Sequence, residues 1–181
     1  MSFTGILFYV ARALVLAAPV TLILYGIRRL CMRGKRVSFS REAQVLLFML
    51  YGACLIAITA VRDGAHLLDF WKIPHSADSI QLIPIAVTLQ QGRGGAWYLV
   101  YPIVGNIVWF LPFGYLLRRL RPAYGVARVL LYSILLSVGI EVVQWVLLSG
   151  ISDIDDVIFN ALGGVFGWLL GKYPLRQTKS C

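Results

Sequence analysis

The sequence predicts an all-α fold, a polytopic membrane helix bundle of about five transmembrane helices with one interfacial or re-entrant segment. Three observations carry that prediction. Hydrophobic residues make up 59% of the 181 residues and charged residues 14%, and the mean hydropathy is +0.78, a membrane rather than a globular composition. The apolar residues fall in runs of roughly twenty, the length that crosses ~30 Å of hydrocarbon. The basic residues collect in short runs between those segments, where positive-inside topology puts them. The net charge of +9 is thereby assigned to the cytoplasmic face of a membrane, and no nucleic-acid partner is expected.

Taken in order, the first span runs from Ile6 to Leu30, with Arg12 near enough to one end to snorkel and Pro19 inside it. Its length argues for a retained span and not a signal peptide. The next segment sets Arg28, Arg29, Arg33, Lys35, Arg36 and Arg41 against the single acid Glu42, which marks a cytoplasmic loop. A second span follows from Ala43 to Val61, closing an N-terminal pair of helices over residues 1–62. Residues 63–95 form an extracytoplasmic or interfacial loop of balanced charge. Within it SIQLIPIAVTLQQ is too short to span and is broken by Pro84, as an interfacial or re-entrant segment would be. His66 and His75 lie in this loop as solvated or interfacial residues.

The third span, Ala96 to Leu117, holds Asn106 and Pro112 and ends in Arg118, Arg119 and Arg121. The fourth, Val126 to Leu148, carries Glu141 toward its outer end, and the fifth runs from Asp153 to Lys172 into a basic tail, residues 172–181. Of the 17 basic residues only Arg12, Arg62, Lys72 and Arg93 lie away from the cytoplasmic segments. The expected topology is multi-pass, with the N-terminus outside and the C-terminus cytoplasmic. Cys31, Cys54 and Cys181 have neither disulfide-framework nor zinc-site spacing.

The polar residues that need an explanation gather between Ser137 and Gly167. An ionisable residue inside a membrane-length helix raises a functional-site hypothesis by default. Ser137, Glu141 and Gln144 share one helix face with Leu148, and Asp156, Asn160, Gly163, Gly167 and Gly171 share a face of the next helix. The two helices flank a short turn holding Asp153 and Asp155, so they are expected to be antiparallel neighbours. Glu141 should lie about 10 Å below the outer end of its helix. One outward polar pocket with four carboxylates is expected there, with Asn106 reaching in from the third span. Each residue also has a plainer role. Ser152 and Asp155 match a capping box, the other polar groups suit interhelical hydrogen bonds, and Gly163, Gly167 and Gly171 form a GxxxGxxxG helix-packing face.

These residues resemble the VanZ-like family of small bacterial membrane proteins. NIVWFLPFGYLL, with Asn106, Pro112 and Gly114, is similar to its asparagine-led apolar–Pro–apolar–Gly element. Ser137, Glu141 and Gln144 match its S-x-x-x-E-x-x-Q helix. Asp153, Asp155, Asp156, Asn160, Gly163, Gly164 and Gly167 match its acidic turn and glycine-rich closing helix. Gln81 to Pro84 is similar to its N-L-I-P element with Gln in place of Asn. Where the family often has a basic residue before the turn, this chain has Ser149 to Ser152 instead. The resemblance covers residues 79–171, and Met1 to Asp78 shows no comparable motif. It implies an envelope role, since the family is named for a protein that lowers susceptibility to teicoplanin.

Three functions follow as expectations. The first is a non-enzymatic envelope factor whose pocket binds a lipid, a lipid-linked saccharide or a membrane-protein partner, without a cofactor. The second is a membrane enzyme on a lipid-linked substrate, with Asp153, Asp155, Asp156 and Glu141 holding Mg²⁺ or Mn²⁺. The chain lacks the histidine motifs of lipid phosphatases and the GxSG of rhomboid-type proteases, and no catalytic residue is assigned. The third is a proton-coupled transporter or flippase using Glu141, which the absence of an internal repeat disfavours. A homo-oligomer formed through the glycine face is a candidate assembly.

Overall fold

The computed structural model describes residues 3–34, 36–60, 79–85 and 94–172, together with residues 72, 74 and 76. Among the described residues the order is α1 (Phe3–Cys31), α2 (Phe39–Ala60), β1 (Ile80–Gln81), α3 (Ala96–Leu120), α4 (Val126–Leu147), β2 (Ser152–Asp153) and α5 (Ile154–Leu170). Among the described residues four helices are long and apolar enough to cross a membrane, over Val10–Cys31, Phe39–Thr59, Ala96–Leu120 and Val126–Leu147. Helix α5 has 17 residues, about 25 Å at ~1.5 Å per residue, the lower end of what spans a bilayer. The all-α membrane architecture is as expected, and each helix begins and ends within a few residues of the predicted bounds. His66, His75 and the second half of the interfacial segment fall outside the described residues.

Apolar side chains cover the outside of these helices. Val15 is 72% exposed and Leu30 71%, which in water would be an aggregation surface and in a bilayer is the lipid-facing wall. Helices α1 and α3 continue through Pro19 and through Pro102 and Pro112. Each proline removes one backbone donor without ending its helix.

The chain divides into two compact units, Met1–Val87 with Val138–Ile154, and Thr88–Ser137 with Asp155–Cys181. In the first, α1 and α2 are clasped near their basic turn. Arg28 donates from both terminal nitrogens to Glu42 at 2.7 and 3.1 Å, and the Tyr25 hydroxyl donates to Glu42 Oε2 at 2.7 Å. The lone acid of the basic loop is thus the anchor of a helical hairpin. At the C-terminal end of α4 the Ser149 N–H donates to Gln144 O at 3.0 Å and the Leu148 N–H to Trp145 O at 3.2 Å. This Schellman closure places Leu148 at φ 53°, the left-handed position usually given to glycine. The chain then forms β2, which pairs in parallel with β1, Ile80 opposite Ser152 and Gln81 opposite Asp153.

In the second unit α3 and α5 run parallel at very close approach. A Cβ on Gly163 would overlap the backbone of Ile107, one on Gly167 that of Leu111 and Tyr115, and one on Gly171 the side chain of Arg118. Gly114 of α3 faces Gly164 of α5 backbone to backbone, and Gly164 also abuts Ser133 of α4. Dispersion between closely approaching backbones replaces the hydrophobic effect, which is weak between helices in lipid. At the far end of this unit Trp168 Nε1 donates to Tyr124 O at 3.0 Å, with Arg118 and Lys172 over its ring at 5.3 and 4.1 Å. A tryptophan flanked by cations suits a headgroup boundary.

Candidate functional site

Each polar residue of the acidic hairpin has a definite position within its own unit. In the first unit Glu141 is 7% exposed and Gln144 6%. The Glu141 carboxylate accepts a 3.0 Å hydrogen bond at Oε2 from the Asp153 N–H, and its backbone carbonyl accepts a 2.8 Å bond from the Ser152 hydroxyl. A helix carboxylate therefore organises the turn that follows the helix. Gln144 Nε2 donates to the Thr59 carbonyl of α2 at 2.9 Å, while Thr59 Oγ1 donates back to Leu55 O at 2.7 Å. The Thr59 carbonyl, near the end of its helix, is one of the groups that lack an intrahelical partner, and the glutamine fills that need.

In the second unit Asn106 Nδ2 of α3 donates to Asp156 Oδ1 in the first turn of α5 at 2.5 Å. Asn160 Nδ2 donates to Ser137 Oγ of α4 at 2.9 Å, a pair buried on both sides. Asn160 Oδ1 and Ser133 Oγ are buried without a hydrogen-bond partner among the described residues. Unsatisfied buried oxygens in a polar stripe are where an ordered water or a ligand donor belongs. Asp155 is 2% exposed, whereas Asp153 and Asp156 are half-buried. Among the described residues no three His, Cys, Asp or Glu side chains converge as a metal ligand set.

The shared face of Ser137, Glu141 and Gln144 has three partners: Ser137 bonds to α5, Glu141 holds the turn and Gln144 bonds to α2. The capping box shifts. Helix α5 begins at Ile154, which puts Asp153 rather than Ser152 at the N-cap position, and the Ser152 hydroxyl is spent on Glu141. The glycine face is turned toward α3, with Gly163, Gly167 and Gly171 against its backbone and Arg118. Four participants were not singled out from sequence: Thr59, Ser152 as a donor to α4, Ser133, and Gln81 as a backbone partner of Asp153. Ser133 was legible, being one turn before Ser137 on the same face. Thr59 acts through its backbone carbonyl and leaves no side-chain signature.

Comparison with known proteins gives a family match whose range includes these residues. A family model described as VanZ/LLP1 matches residues 48–175, well over half of the chain. The match begins in α2, upstream of the first recognisable motif. The chain is also similar to Protein VanZ of Enterococcus faecium, with 34% identity over 65 residues, 36% of this chain and 40% of that protein. The similarity thus spans about two-fifths of that curated relative's length. No solved structure matches the chain. With a family match across most of its length, this multi-helix membrane protein belongs to the VanZ/LLP1 family.

Proposed function

We propose that the chain is an envelope factor of the bacterial cytoplasmic membrane, with its N-terminus outside and its C-terminus in the cytoplasm. Its outward acidic end binds a cationic or hydrogen-bonding group of a lipid, of a lipid-linked saccharide or of a teicoplanin-type antibiotic, and lowers glycopeptide susceptibility. The observation that carries this reading is the Asn106–Asp156 pair, 2.5 Å apart across fifty residues of chain. The amide fixes the carboxylate at one oxygen. A carboxylate has about four lone-pair sites, so it can receive a further donor. An amine brought to it from the headgroup region gains because Coulomb attraction strengthens as the local dielectric falls.

Asn160, Ser137 and Ser133 supply neutral hydrogen-bonding capacity one and two turns deeper, suited to saccharide hydroxyls. Glu141 acts by holding the turn from which α5 starts. In this reading residues 79–171 carry the function, and residues 1–62 anchor the chain. The test is a deletion strain complemented with the wild-type gene, assayed for teicoplanin susceptibility and for lipid-linked precursor content. The reading expects at least one to change on deletion and to be restored. Unchanged values for both would overturn it.

A further inference from the structure

We infer that the basic turn between α1 and α2 is a binding site for the phosphate headgroup of an anionic phospholipid. An open cavity of about 680 Å³ lies at the end of α1, lined by Gly26, Arg29, Leu30, Met32, Arg33 and Arg36, with Gly34 completing the wall. Three arginines line it from eight residues of chain. The turn makes that possible. The N–H groups of Met32 and Arg33 close the helix onto Arg28 O and Leu30 O at 3.0 and 3.2 Å, and Gly34 at φ 85° reverses the chain. A side chain at Gly34 would be strained in that left-handed conformation.

The charge of this cavity is only partly neutralised among the described residues. The neighbouring acid, Glu42, is committed to Arg28 at 2.7 Å and reaches Arg29 at 3.7 Å. Among the described residues Arg33 and Arg36 have no carboxylate within ion-pair distance. Guanidinium groups bind phosphate oxygens in a bidentate manner, which makes phosphate the fitting anion. The apolar surroundings select a lipid as its source. Leu30 is 71% exposed beside the cavity, Ile27 52%, and Ile23 and Leu22 continue the same apolar wall along α1 at 62% and 64%. A phospholipid whose acyl chains lie on that wall has its phosphate level with Arg29, Arg33 and Arg36. This is the usual chemistry of basic clefts at the cytoplasmic boundary of helical membrane proteins.

The test uses the full chain in detergent and native mass spectrometry with dioleoyl phosphatidylglycerol, and dioleoyl phosphatidylcholine as the neutral comparison. The R33Q/R36Q variant leaves the Arg28–Glu42 clasp intact, and R119Q/R121Q removes the same charge from another exposed basic segment. Wild type and R119Q/R121Q should retain phosphatidylglycerol in roughly tenfold preference to phosphatidylcholine, and R33Q/R36Q should lose most of that preference, since each arginine at an anionic surface contributes on the order of fivefold. Equal loss in R119Q/R121Q would show a general charge effect and overturn the assignment. Displacement of phosphatidylglycerol by millimolar inorganic phosphate would overturn the choice of lipid as the source. So would equal retention of both lipids by wild type.

Discussion

The carboxylate of Glu141 accepts a 3.0 Å hydrogen bond at Oε2 from the backbone N–H of Asp153, twelve residues further along the chain. An ionisable group inside a membrane-length helix thus serves as the mould for the turn after the helix. The Ser152 hydroxyl on the Glu141 carbonyl ties the same turn a second time, and β1 runs beside it. The QLIP segment and the acidic turn, seventy residues apart in sequence, are neighbours through backbone pairing of Gln81 with Asp153.

Removing that acceptor should loosen the turn. Glu141→Ala removes this acceptor from the half-buried Asp153 N–H and is expected to cost about 1–3 kcal/mol, whereas Glu141→Gln keeps an acceptor in place and should cost under about 1 kcal/mol. Denaturant unfolding in detergent, followed by tryptophan fluorescence, separates the two. Equal losses for both variants would mean that the charge, and not the acceptor, holds the turn.

Leu148 occupies the left-handed position of the Schellman closure at φ 53°, a conformation that costs a non-glycine residue roughly 1–2 kcal/mol. Leu148→Gly should therefore leave the unfolding midpoint at or above that of wild type. Leu147→Gly, one residue earlier and helical, should lower it by the ~1 kcal/mol that glycine costs in a helix. Thermal unfolding of the two variants side by side checks the contrast.

The helix glycines are predicted to divide by what they face. Gly167→Ala drives a methyl group into the Leu111 backbone, so a loss of about 1–3 kcal/mol is expected from overpacking. Gly139 of α4 has open space around its missing Cβ, and Gly139→Ala should stabilise by roughly 0.5–1 kcal/mol. The same unfolding assay reads both.

Much of this was legible in the sequence, and what was not has physical reasons. Helix positions follow from apolar runs between basic clusters, so α1 to α4 could be placed to within a few residues. The polar residues of the hairpin stand out because lipid tolerates few of them. Their partners are less visible. Gln144 bonds to a backbone carbonyl at Thr59, and Glu141 to a backbone N–H at Asp153. Backbone groups carry no residue identity, so neither pairing could be read from side-chain types. The parallel register of α3 and α5 is likewise invisible until the glycines are seen against Ile107 and Leu111. Leu148 in a glycine position gives no compositional cue at all.

The central claim is that Asp156 contributes a negative charge to function rather than a strut to the fold. Asp156→Asn is nearly isosteric and can still accept from Asn106 Nδ2 through its amide oxygen. At equal membrane abundance and an unfolding midpoint close to that of wild type, the strain complemented with Asp156→Asn should keep the values of the uncomplemented deletion strain, with teicoplanin susceptibility raised above wild type and lipid-linked precursor content unrestored. Full complementation by Asp156→Asn, with the deletion itself showing a clear phenotype, would contradict it.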